Sequence, residues 1–357
     1  MRMAISLRSG LCSWVWGFWS LMSTLLVVGA VAIPAWGQVS DIDDAVSEAV
    51  SYLLAQQGED GVWGAGDQSL HTTVEVVLAL KMADRAGITP ASASGDFGVI
   101  PAAIDEAYGA FAGLDPDDLE RQTLVASLRI AAGRNIGSLR TTILDQQQAD
   151  GGWGITIEHR SSVRDTIMVA EALLGEDPIP IADDRLLAAI GFLDSELRSV
   201  SGSQAKYWLH GAGGESGVMT SARGLIALRR LGETLGSESA IYDARRDVLA
   251  YLLSEVEPDM NWSGATPWSD PDGDTAIYAT TLRAYAGARQ PRELERMISG
   301  FLGRVSLDGS WAANGVPSFG SPSPDAVYPT AAMIRALLSV PETLASAESE
   351  LPDIWIA

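Results

Sequence analysis

Three histidines, His71, His159 and His210, stand just before or within the first turn of apolar helical segments, together with Glu75, Asp165, Asp270, Asp272 and Asp274. Imidazole changes charge near neutral pH, and a carboxyl holds or releases a proton as its surroundings dictate. Arg164, Tyr328, Trp262 and Trp268 fall in the same class of position. A guanidinium grips oxyanions in a fork, and aromatic rings offer stacking surfaces. If the helices run parallel, their N-termini share one rim, and each contributes roughly half a positive charge there. One rim would then gather groups suited to acid–base chemistry (Asp272, Asp274, Glu75, Asp165) and to ligand binding (the histidines, Arg164, Trp262, Trp268 and Tyr328). Plainer roles stay open beside these. Aspartates complement helix dipoles, exposed histidines are solvated, and tryptophans wedge between packed units.

Asp270-Pro-Asp272-Gly-Asp274 also has the opening spacing of a calcium loop. The EF-hand form fails, because Thr275 stands where its glycine belongs and Thr281 where its terminal glutamate belongs. A looser calcium site at these aspartates, completed by Glu or backbone oxygens, is the one cofactor alternative. The only cysteine, Cys12, sits in the N-terminal apolar run, so a chain without that run has no thiol for a disulfide, a nucleophile or a zinc site.

Residues 1–37 carry Arg2 and Arg8, an apolar run from Leu11 to Ile33, and Ala35-Trp36-Gly37. This is the layout of an export signal cleaved before Gln38. The run is also long enough to stay as a membrane anchor, for which about 20 residues suffice. The expected location is secreted or periplasmic, or anchored and facing outside the cytoplasm. Loss of Arg2 and Arg8 takes the net charge from −22 to −24. Such acidity excludes nucleic acid and anionic lipid surfaces as partners, leaving membrane contact to the N-terminal segment alone.

The elements that must position these groups are repeats. Tyr52-Leu-Leu-Ala-Gln-Gln-Gly-Glu-Asp-Gly-Val-Trp63-Gly recurs as Ile143-Leu-Asp-Gln-Gln-Gln-Ala-Asp-Gly-Gly-Trp153-Gly, and more weakly from Phe301 to Trp311. Fainter copies lead from Phe192-Leu193 to Trp208 and from Tyr251-Leu252 to Trp262; a sixth, about 102–135, lacks the tryptophan. After each loop an apolar helix begins near a threonine: Thr73, Thr123, Thr166, Thr220-Ser221, Thr275 and Thr330. These threonines are expected as N-caps. The first helix of each pair is amphipathic and suits an outer ring; the second is more evenly apolar and suits an inner one. Six pairs over 38–340 predict an all-α, (α/α)6 barrel (toroid), with 341–357 as a C-terminal tail.

The loops resemble the Gln-Trp repeats of the squalene-cyclase and prenyltransferase superfamily, whose pattern is aromatic-Leu, Gln, then Gly-x-Trp. Tyr52-Leu53, Gln57, Gly61 and Trp63 fit it; Ile143-Leu144, Gln148, Gly151 and Trp153 fit but for isoleucine; Phe301-Leu302, Gly309 and Trp311 fit with Ser306 replacing Gln. The resemblance implies a terpenoid-cyclase-like toroid. It implies little about activity, since the superfamily's zinc and thioester chemistries need a cysteine. The cyclase motif Asp-x-Asp-Asp-Thr-Ala aligns with Asp272-Gly273-Asp274-Thr275-Ala276, which has Gly273 at the proton donor's place. Asp41-Ile-Asp43-Asp44 has suitable letters but opens an outer helix, where capping explains it better. Three readings follow. The chain is a degenerate or non-catalytic barrel that binds an apolar or glycan ligand, or another exported protein. Alternatively it is an exported glycoside hydrolase or polysaccharide lyase, or a cyclase using Asp272 or Asp274.

Overall fold

The computed structural model describes residues 42–92, 98–174, 184–209, 217–236, 238–255, 273–286, 291–313 and 326–340. Its twelve helices form six pairs. In chain order these are α1 (Ile42–Ala55) and α2 (Ser69–Arg85), α3 (Val99–Phe111) and α4 (Leu119–Ala131), α5 (Gly137–Asp145) and α6 (Val163–Leu174), α7 (Asp184–Ser195) and α8 (Val218–Leu235), α9 (Glu238–Ser254) and α10 (Gly273–Ala286), and α11 (Pro291–Leu302) and α12 (Val327–Leu338). The even-numbered helices pack side by side in the order α2, α4, α6, α8, α10, α12, and α12 packs back on α2. The ring is therefore closed, as the six repeats predicted. The odd-numbered helices lie against its outside. A two-residue antiparallel ladder, β1 (Arg198–Ser199) with β2 (Lys206–Tyr207), is the only sheet among the described residues, and it leads into Trp208. No helix among the described residues is long and apolar enough to cross a membrane.

What joins one pair to the next is the tryptophan loop. Trp63, Trp153 and Trp208 are 0% exposed and Trp311 is 1% exposed. Each indole of the first three donates to a carbonyl of the preceding outer helix: Leu53 at 2.6 Å, Ile143 at 2.8 Å and Leu193 at 2.7 Å. Each backbone N–H donates to a hydroxyl of the following inner helix: Thr73 at 3.0 Å, Thr166 at 3.0 Å, Ser221 at 3.1 Å and Thr330 at 2.9 Å for Trp311. The hydroxyls are thus latch residues inside the first turns rather than N-caps, which corrects the expectation drawn from the sequence. Asp118, which stands before α4, is a true cap: its carboxylate accepts the Arg121 N–H at 2.8 Å.

The loop also reaches forward. Gly151 has φ +89°, and a Cβ there would lie 2.5 Å from the Ala188 carbonyl oxygen of α7. Gly309 has φ +80°, and its Cβ would lie 2.7 Å from the Glu48 backbone in α1, so the last loop closes on the first helix. Only glycine accepts both the left-handed backbone and the close approach. Gln57 Nε2 bridges the carbonyls of Gly61 (2.9 Å) and Ala103 (3.1 Å). Gln147 does the same with Gly151 (2.7 Å) and Arg185 (2.6 Å). The motif glutamine of the third pair is therefore Gln147, not Gln148, whose amide bonds Ile157 instead. In the last pair the turn bonds of Ser306 match those of Gln148, so Val305 stands at the glutamine position.

Candidate functional site

Because each outer helix reverses the chain, the six inner helices run parallel. Two contacts between neighbouring first turns agree: Arg164 pairs with Glu120 at 3.1 Å, and the His71 and Tyr328 rings meet with centroids 5.0 Å apart. Along the axis lies a cavity of about 80 Å³, walled by α2, α4, α6 and α8 with Arg335 of α12. The α2 wall is His71, Val74, Glu75, Leu78, Lys81 and Arg85, a helical stripe that spans the length of the barrel.

Charge dominates this wall. Arg335 Nη1 sits 2.5 Å from Glu75 Oε2, and Arg223 forms a close ion pair with Glu171. Burial by itself would raise the Glu75 pKa, but Arg335, Arg283 and Arg223 together outweigh it and hold the group below its ordinary range. Burial likewise works against the Arg223 cation, and Glu171 overcomes it, so this guanidinium stays charged. His71 moves the other way. Burial, then the Arg223 charge, lowers its pKa and favours the neutral ring.

Of the groups singled out in the sequence, His71, Glu75 and Arg164 line this cavity, and Tyr328 packs against His71. Asp165 does not line it. Its carboxylate accepts from the Ser162 hydroxyl at 2.8 Å, while its own N–H donates to that hydroxyl at 3.0 Å. This is a capping pair at the start of α6, the structural role its position allowed. Burial raises the Asp165 pKa despite the Ser162 hydrogen bond. His159 is exposed, with Nδ1 2.7 Å from Thr156 Oγ1 in the loop before α6. His210, Trp262, Trp268, Asp270 and Asp272 lie outside the described residues; Asp274 stands in the first turn of α10, with its side chain outside them. Among the described residues no cluster of His, Cys, Asp or Glu is placed to hold a metal ion.

Sequence reasoning missed Glu120, Glu171, Arg223, Arg230 and Arg335, which share the cavity wall. The signal was present: each is a charged residue on a helix that closure of the ring must bury. Reading those helices as evenly apolar hid it.

No family model matches the chain, and no curated protein sequence does. Solved structures do. The type II terpene cyclase MstE from Scytonema, in complex with geranylgeranyl dihydroxybenzoate, superposes with a TM-score of 0.59 at 14% identity, over 87% of this chain and 99% of that one. In fold, this chain is a terpenoid-cyclase-like α/α toroid. A protein from Actinoplanes gives 0.55 at 17% identity, over 84% and 99%. An inactive variant of the α-1,6-mannanase GH76A of Salegentibacter, in complex with α-1,6-mannotetrose, gives 0.56 at 10% identity, over 84% and 99%. A terpene cyclase and a glycoside hydrolase thus share the toroid with this chain, and at these identities the likeness concerns the fold alone.

Proposed function

We propose that this chain is an exported, non-catalytic toroid that binds a small ligand in its central cavity. The observation that carries the reading is the pairing of the cavity's carboxylates. Glu75 is bonded to Arg335, Glu120 to Arg164 and Glu171 to Arg223. Protonating an alkene requires a carboxylic acid kept neutral. Glycoside hydrolysis requires one neutral and one ionised carboxyl. A carboxylate clamped by a guanidinium serves neither need as the acid, and Glu75 in particular is held ionised.

Size and polarity support the same reading. About 80 Å³ is room for roughly five to eight waters. A wall carrying Arg223, Arg335, Glu75 and Glu171 charges a high desolvation cost to any polyprenyl chain. Export rests on the sequence of residues 1–37. The test is turnover. The purified full chain is incubated with squalene, with geranylgeranyl substrates and with α-1,6-mannan, and products are followed by mass spectrometry. The expected result is no product above a heat-killed control. Product formation abolished by Asp272→Asn or Asp274→Asn would reinstate a cyclase, and mannan cleavage would reinstate a hydrolase.

A further inference from the structure

Aspartate and glutamate outnumber lysine and arginine 46 to 24 in this chain. Along the cavity the balance inverts. Lys81, Arg85, Arg164, Arg223, Arg230 and Arg335 line it against Glu75, Glu120 and Glu171. An acidic protein that gathers cations at its axis has placed them against the prevailing field.

The charges fall into layers when residues are counted from the latch hydroxyls, which mark one level around the ring. Glu75 and Arg223 stand two residues past Thr73 and Ser221, and Glu171 and Arg335 stand five past Thr166 and Thr330. Both layers hold each sign. Lys81 and Arg230 stand eight and nine residues past Thr73 and Ser221, within about 1.5 Å of one height at the helical rise per residue. No cavity-lining carboxylate shares that layer. In a ring of six, α2 and α8 face each other, so Lys81 and Arg230 reach in from opposite walls, with Arg85 one turn below. Two opposing fields act here. Asp84 lies 3.6 Å from Lys81 outside the wall, and the C-termini of the inner helices add partial negative charge.

We propose that this lower layer grips a small oxyanion, a carboxylate or phosphate of about five to eight heavy atoms by the room the cavity offers. Arg230 supplies a fork and Lys81 a point charge, the two complementary ways of holding such a group. The proposal rests on the reading of the toroid as a binding module and names its ligand class.

The test is titration calorimetry on the full chain with sodium phosphate, sodium succinate and mannose, against sodium chloride at equal ionic strength. Saturable one-site binding of phosphate or succinate beyond the chloride control is expected, and the stronger of the two identifies the source. Arg230→Gln and Lys81→Gln should each weaken it at least tenfold, and Arg230→Lys by less. Unchanged helical circular dichroism and melting temperature show that the variants fold. Lys81 is partly exposed (31%), so its variant is the safer of the two. Anion binding that ignores both substitutions overturns the proposal, as does silence from both anions. Saturation by mannose alone overturns the anion assignment and leaves the binding module standing. Turnover of polyprenyl or glycan substrates removes the module while the anion grip stays measurable.

Discussion

The edge of the toroid and its axis are built on opposite principles. At the edge, four tryptophan loops repeat one arrangement: buried indole, hydroxyl latch, and carbonyl of the preceding helix. At the axis, no two inner helices present the same side chains, and the contacts are ion pairs between helices far apart in sequence, such as Glu75 with Arg335. Repetition closes the ring, and divergence at the centre gives each toroid its own interior. A shared fold therefore leaves the ligand open, and the departures from the repeat are where it is read.

The largest effect should come from the edge. Trp153→Ala removes a fully buried indole together with its bond to the Ile143 carbonyl. Loss of a buried tryptophan costs about 3–5 kcal/mol. Urea denaturation should show this as a lower midpoint with little change in slope. A loss under about 1 kcal/mol would mean that the loops decorate the ring rather than hold it.

The first half of that comparison was open to sequence reading because it repeats. Trp63, Trp153 and Trp311 share a spacing, and the threonines behind them share another, so periodicity alone announced six pairs. Details of reach were hidden. The cap and the latch both use a hydroxyl near a helix start, and only the Trp153 N–H bonded to Thr166 separates them. Two adjacent glutamines fit one motif, and only the bond from Gln147 to the Arg185 carbonyl selects between them. The axis was harder still. Glu75 and Arg164 drew notice for lying near helix starts, whereas Arg335 acquires meaning only when α12 meets α2, some 260 residues away along the chain. An ion pair between isolated charges in different repeats leaves no periodic trace.

At the axis, Glu75→Gln should leave Arg335, Arg283 and Arg223 with one negative charge fewer among them. Breaking a buried pair from one side costs about 3–5 kcal/mol, and replacing both partners by apolar residues is often close to neutral. With the Glu75 carboxylate 13% exposed and Arg335 8% exposed, the lower end applies. The double change Glu75→Leu with Arg335→Leu should then recover most of the loss in urea melts. The pH profile gives the sign independently. A carboxyl whose folded pKa is depressed stabilises the fold above its unfolded pKa, and loses that contribution as pH falls through the folded value. The wild type should therefore lose stability on acidification below about pH 4.5, and Glu75→Gln should lose less. Equal slopes would mean that the axis charges are not linked to folding.

The smallest change tests whether the edge can be improved by its own rule. Gln147 crosses from the Gly151 carbonyl to Arg185 of the next outer helix, while Val305 leaves the last loop without that bridge at its junction with α1. Gln147→Ala should cost about 1–3 kcal/mol, the range for two buried carbonyls left short of a donor. Val305→Gln should restore the bridge where Gly309 already lies against the Glu48 backbone. The gain expected is about 0.5–1.5 kcal/mol, the net worth of one hydrogen bond. Ring closure is the junction whose two sides are farthest apart in the chain. A stabilising Val305→Gln would show that this seam obeys the geometry of the other loops, and a destabilising one would show that valine packs it in a way the repeat does not describe.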